Sequence, residues 1–109
     1  MNTWRVEFFD ETVEAEFDQF PIPVKAKVIH ISKLIEELGL PNVGMPYIKH
    51  VQGKIWEIRA VKNKCQGRCL YVTDIGKRIC ILRCFIKKSQ KLPQKELQLA
   101  QQRAGRVHE

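Results

Sequence analysis

The segment Ile79-Cys80-Ile81-Leu82-Arg83-Cys84-Phe85-Ile86 constrains the chain most, because it is mostly apolar at successive positions rather than at alternate ones. A strand that is hydrophobic on both faces belongs in the centre of a sheet. Two further β-rich runs stand just before it. In Ile55-Trp56-Glu57-Ile58-Arg59-Ala60-Val61 the period of two puts Trp56, Ile58 and Ala60 on one side and Glu57 and Arg59 on the other. Cys69-Leu70-Tyr71-Val72-Thr73 follows, and Asp74-Ile75-Gly76-Lys77 has the composition of a hairpin turn.

Ahead of the sheet the pattern changes to helical spacing. Trp4 to Phe9 alternates as a strand, Asp10 and Thr12 are helix-start residues, and Val13, Phe17 and Phe20 recur on one side of a short helix. Pro21-Ile22-Pro23 ends that helix and places a proline where the next can begin. Val24, Val28, Ile31, Leu34, Ile35 and Leu38 form the stripe of a second helix, which Gly39 terminates, so the two helices read as a hairpin. Leu40 to Tyr47, with Pro41, Gly44 and Pro46, reads as a loop. Pro93 opens a last helix with Leu97, Ala100 and Ala104 on one side. The expected class is α+β, with two N-terminal helices packed on a small antiparallel sheet and a C-terminal helix.

At 109 residues the chain is expected to form one domain spanning 1–109, since domains run to about 100–200 residues. A chain this short hides roughly two thirds of its unfolded surface, too little for a deep cofactor cavity, so no cofactor is expected. No apolar run approaches the ~20 residues of a bilayer span, and the N-terminus lacks an apolar signal core. No membrane partner and a cytoplasmic location are the expectations.

Net charge is +7, and its distribution says more than its size. Residues 1–48 hold 4 basic and 8 acidic side chains, whereas residues 49–109 hold 15 basic and 4 acidic. A field concentrated in one half attracts phosphate polymers, with acidic protein segments second.

The cysteines Cys65, Cys69, Cys80 and Cys84 do not read as a metal site. Four residues of regular strand would hold Cys80 and Cys84 about 13 Å apart at ~3.3 Å each, whereas zinc thiolates must converge. Cys65 and Cys69 flank a Gln66-Gly67 turn on this reading. Buried, reduced, structural cysteines are expected, and no metal. No phosphate-binding glycine loop, Gly-x-Ser-x-Gly or His-Glu-x-x-His is present. His30 lies inside the second helix, His50 precedes a strand and His108 is near the end, so each reads as structural or solvated, with His50 and His108 ahead because they fall in the basic half. Trp56 could stack on a base, but its alternation with Ile58 favours the core.

What remains is cationic. Arg59, Arg68, Arg83, Lys87 and Lys88 are on or beside the proposed sheet, where rigid backbone can aim guanidinium groups at a phosphate. For Arg59, an ion pair with Glu57 is an equal alternative.

The succession Ile55-Trp56-Glu57-Ile58-Arg59, Gly67-Arg68-Cys69-Leu70-Tyr71-Val72, Phe85-Ile86-Lys87-Lys88-Ser89-Gln90-Lys91-Leu92-Pro93 and Glu96 to Ala100 resembles the RelE/ParE toxin superfamily, and within it the HigB-like, phage-derived branch. The resemblance covers nearly the whole chain. It implies a RelE-like, microbial-RNase-like fold and a toxin of a type II toxin–antitoxin pair, one that cuts mRNA on the translating ribosome without a metal. By matching position it implies catalytic roles for Arg59, Arg68 and Lys87, with Lys88 as a neighbour; for such chemistry Lys49, Lys54, Arg83 and Lys88 are then the residues expected to bind the RNA backbone. Implied partners are a cognate antitoxin, a small helix-turn-helix protein, together with the ribosome and mRNA. Several relatives carry a catalytic tyrosine near the C-terminus, whereas Gly105-Arg106-Val107-His108-Glu109 has none, so the resemblance supplies no general base. Two alternatives stay open: a gyrase-inhibiting toxin of the ParE type, and a catalytically inactive basic protein that binds nucleic acid or antitoxin.

Overall fold

A computed structural model describes residues 3–107. Strand β1 (Arg5–Phe8) leads into helices α1 (Glu11–Asp18) and α2 (Ile22–Leu38), then a 3-10 turn at Leu40–Asn42. Strands β2 (Ile48–Gln52), β3 (Ile55–Lys62), β4 (Cys65–Asp74) and β5 (Arg78–Ile86) follow, and helix α3 (Gln94–Ala104) closes the order. The architecture is α+β, and among the described residues the five strands form one sheet in the order β1-β5-β4-β3-β2.

The sheet is mixed, which corrects the expectation of an antiparallel one: β1 runs parallel to β5, with Arg5 opposite Arg78 and Phe8 opposite Ile81. The two intervening helices provide the long crossover that a parallel pair requires. Strand β2 was unforeseen. Its ladder slips between His50 and Gln52; Ile48 packs into one core and Val51 into the other, while Lys49, His50 and Gln52 are exposed, so too few apolar residues alternate to mark a strand.

Local signals explain the helix boundaries. Asp10 caps α1, its carboxylate accepting the Val13 N–H at 3.0 Å. Pro23 sits in the first turn of α2, where its missing N–H is harmless, and Gly39 ends that helix at φ 87°. Rather than packing chiefly on each other, α1 lies on β1 and β5 and α2 on β1 and β3. Val13, Val24, Val28, Ile31 and Ile35 meet Ile58, Ala60, Cys69, Tyr71, Ile79 and Ile81 there. On the opposite face Leu97 and Ala100 of α3 cover Leu70, Val72, Cys80, Leu82 and Phe85. The run 79–86 is thus apolar on both sides because both its faces are covered.

Gly67 is not in a turn, as its neighbours had suggested. It lies within β4, and the reversal comes earlier, at Asn63 and Lys64, which take φ of 52° and 65°. A Cβ on Gly67 would stand 2.5 Å from Val24 Cγ1 and 3.0 Å from the Ala60 carbonyl, so glycine is required where α2 crosses the sheet.

A bulge in β5 settles the cysteines. Leu70 pairs with Arg83 but Tyr71 pairs with Ile81, so the strand changes phase around Leu82. Cys84 consequently packs with the α1/α2 core and Cys80 with the α3 core, instead of sharing one face. Cys84 lies opposite Cys69 with the sulfurs 3.6 Å apart, and all four cysteines are free thiols. The Cys84 contact, then burial, pushes the Cys69 thiol well above its ordinary pKa, which leaves it a poor nucleophile.

Candidate phosphate-binding cleft

Across the β3–β4 ladder Arg59 stands directly opposite Arg68. Both lie on the α3 face, beyond the stretch that α3 covers. The Lys87 amide donates to the Gln66 carbonyl at 2.8 Å, carrying the β4–β5 pairing one step past the strand and setting Lys87 alongside. Arg59, Arg68, Lys87 and Lys88 thereby line one open cleft of about 760 Å³, together with Lys64, Cys65, Gln66, Ile86, Ser89 and Gln90.

The floor of this cleft is built from buried charge. Arg68 is only 2% exposed; its guanidinium donates to the Gly67 carbonyl at 3.1 Å and to Gln66 Oε1 at 3.0 Å. Glu57, itself 6% exposed, lies between the arginines, with Oε1 3.6 Å from Arg68 Nε and Oε2 3.6 Å from Arg59 Nε. Neither Nε has a hydrogen-bond partner among the described residues. Burial lowers the pKa of Arg68, with Glu57 opposing that shift and Arg59 adding to it. Lys87 is lowered too, by desolvation first and then by Arg68, Arg59 and Lys49, against the pull of Glu57.

The remaining sequence candidates divide. Lys49 faces Glu57 across the β2–β3 pair and is close enough to act on Lys87, so it belongs to the rim. Lys54 is exposed in the β2–β3 turn at the far end of β3. Arg83 is elsewhere: it bonds Glu96 through Nε and Nη2 at 3.1 Å each, and Glu16 through Nη1 at 3.0 Å. Burial alone would lower its pKa, but these carboxylates raise it above the ordinary value. Arg83, expected to bind the RNA backbone, is thus not brought into the cleft but tied to Glu16 and Glu96. Glu16 also accepts the Cys84 N–H at 3.2 Å, and Arg103 donates to the Leu82 carbonyl at 2.7 Å, so this network satisfies the backbone at the bulge.

His50 Nε2 lies 2.7 Å from the Gly53 carbonyl and its ring meets Trp56 edge to face, a role in the β2–β3 turn. Trp56 does point to the α2 side, yet it is 40% exposed there, beside Leu40 and Pro41. His108 lies outside the described residues. Among the described residues no group of three or more His, Cys, Asp and Glu is placed to hold a metal ion.

The family model described as phage-derived protein Gp49-like (DUF891) matches residues 15–105, from within α1 to the end of α3. The chain belongs to the Gp49-like family. That family is RelE-like and related to the toxins of toxin–antitoxin systems. No protein among those with curated descriptions matches the chain. The match spans every element that builds the cleft of this Gp49-like chain. No helix among the described residues is long and apolar enough to cross a membrane. Sequence reasoning passed over Gln66, which anchors Arg68, and left Glu57 as one possible partner of Arg59; the register that brings Glu57 to both arginines is non-local and has no signature in a single strand.

Proposed function

We propose that this Gp49-like chain is the toxin of a type II toxin–antitoxin pair, of the HigB-like kind, and a metal-independent endoribonuclease acting on mRNA at the ribosome. The observation that carries this reading is the convergence of Arg59, Arg68, Lys87 and Lys88 on one open cleft. Attack of a ribose 2′-hydroxyl on the adjacent phosphate builds negative charge on phosphate oxygens, and preorganised cations stabilise it. Arg59 and Lys87 meet the phosphate, Arg68 supports it from the floor, and Lys49 and Lys88 follow the RNA backbone. The partner that restrains the toxin is an antitoxin, a small helix-turn-helix protein with an acidic segment that covers this surface.

The deciding experiment is mRNA cleavage on purified, translating ribosomes at saturating toxin, comparing the parent with Arg59→Lys. Lysine keeps the charge but loses the fork of donors. Loss of one preorganised donor costs about 10²–10³ in rate, while ribosome binding changes little. Cleavage by Arg59→Lys at the parental rate overturns the catalytic role of Arg59. Intact mRNA with arrested DNA synthesis after induction replaces the nuclease reading with gyrase inhibition.

A further inference from the structure

We propose that Glu57 is the positioning residue of the cleft: its carboxylate, set between Arg59 and Arg68, holds Arg59 beside the buried Arg68 and aims the Arg59 guanidinium at a phosphate of the bound RNA. This rests on the ribonuclease reading and adds to it a residue that does not touch the substrate.

Three observations lead here. A carboxylate this buried is retained only when paired, and Glu57 is paired twice, one oxygen to each arginine Nε. Its cross-strand neighbours are Leu70 in β4 and Lys49 in β2, yet the ion pairs it forms are with the two arginines. Second, Arg59 and Arg68 are directly opposed in the register, where like charges repel and would splay apart. Third, the two arginines differ in their other anchors. Arg68 is held from behind by Gly67 and Gln66, whereas among the described residues Glu57 is the one side chain paired with Arg59. The orientation of Arg59 therefore depends on Glu57. Because both Nε groups turn inward to the carboxylate, the terminal nitrogens of Arg59 are left for the cleft.

This arrangement carries an electrostatic signature. A negative charge below the phosphate opposes RNA binding, so Glu57 weakens affinity while it sharpens geometry. An ordinary structural residue would support both together.

The test uses the full chain on programmed ribosomes, with binding read separately on an RNA oligonucleotide bearing 2′-deoxy substitutions that prevent cleavage. Glu57→Gln is expected to bind that oligonucleotide at least as tightly as the parent while its cleavage rate at saturation falls about a hundredfold, the cost of a misplacement near 1 Å. Glu57→Asp keeps the charge, and with it the fold and the affinity, but withdraws the oxygens by one methylene; about a tenfold loss of rate is expected. Thermal melts accompany both. Parental cleavage rates in folded Glu57→Asp overturn the proposal, as do binding and cleavage that fall in equal proportion in Glu57→Gln. A parent that binds RNA but leaves it intact overturns the nuclease reading and this inference together, a result distinct from either.

Discussion

Tyr71 is fully buried, and its hydroxyl has no hydrogen-bond partner among the described residues. Burial pushes its pKa well above the ordinary phenol value, because an anion there would be unsolvated. An unpaired buried hydroxyl costs roughly 1–3 kcal/mol, so Tyr71→Phe should stabilise the chain by about 1 kcal/mol and raise Tm by roughly 4–8 °C. Calorimetry checks this, and an unchanged or lower Tm would show that the hydroxyl is satisfied. Lys87 gives a second prediction at the same scale. Desolvation, then Arg68, lowers its pKa, so it loses its proton at a lower pH than an ordinary lysine. On alkaline titration its attraction for RNA is lost as pH rises through that lowered value. Lys87→Arg, which stays charged, should bind RNA to higher pH than the parent; coincident alkaline limbs would assign the fall to another group.

At the scale of elements, β4 and α2 are matched through one glycine. Gly67→Ala drives a methyl against Val24 Cγ1, and the nearby Ala60 carbonyl blocks retreat. Overpacking of this kind costs about 1–3 kcal/mol. Val24→Ala removes the clashing methyl, so the double variant should be more stable than the sum of the two single losses predicts. Additive losses in denaturant titrations would mean that the helix simply moves away. The same contact shows why the turn was misplaced from sequence: a glycine beside Gln66 has the composition of a reversal, and only the neighbouring helix reveals that it serves close packing. The bulge at Leu82 was hidden for a similar reason. Its backbone is satisfied by Glu16 and Arg103, which come from helices distant in the chain.

For the molecule as a whole, the decisive quantity is how its charge is arranged. Of the cations in the basic half, Arg78 and Arg83 are tied to carboxylates away from the cleft, while Arg59, Arg68, Lys87 and Lys88 line it, the two arginines over their shared partner Glu57. If four cations meet RNA phosphates, log affinity should fall with log salt at a slope of roughly 3, since each single-strand contact contributes ~0.7. Lys88→Ala should reduce that slope by about one contact, whereas Arg83→Ala should leave it unchanged and lower Tm instead. Filter binding across a salt series measures the first and thermal melting the second. An Arg83→Ala slope below the parent's would return Arg83 to the RNA surface.

What the sequence determined by itself follows from local physics. The α2 stripe, the Asp10 cap, the Asp74–Lys77 turn and the doubly apolar run at 79–86 are written in neighbouring residues, because helix and strand periods and turn chemistry act over a few positions. That arginines and lysines gather on or beside the sheet was legible too, from the uneven charge of the two halves. The tertiary structure alone decided that β1 runs parallel to β5 and that Cys69 meets Cys84. It also turned Arg83 to Glu16 and Glu96, and stood Glu57 between Arg59 and Arg68. Each of these depends on strand register, on a bulge that changes side-chain phase, or on the docking of a helix distant in sequence. A one-residue shift in pairing exchanges the two faces of a strand, and no local pattern in this chain specifies that shift.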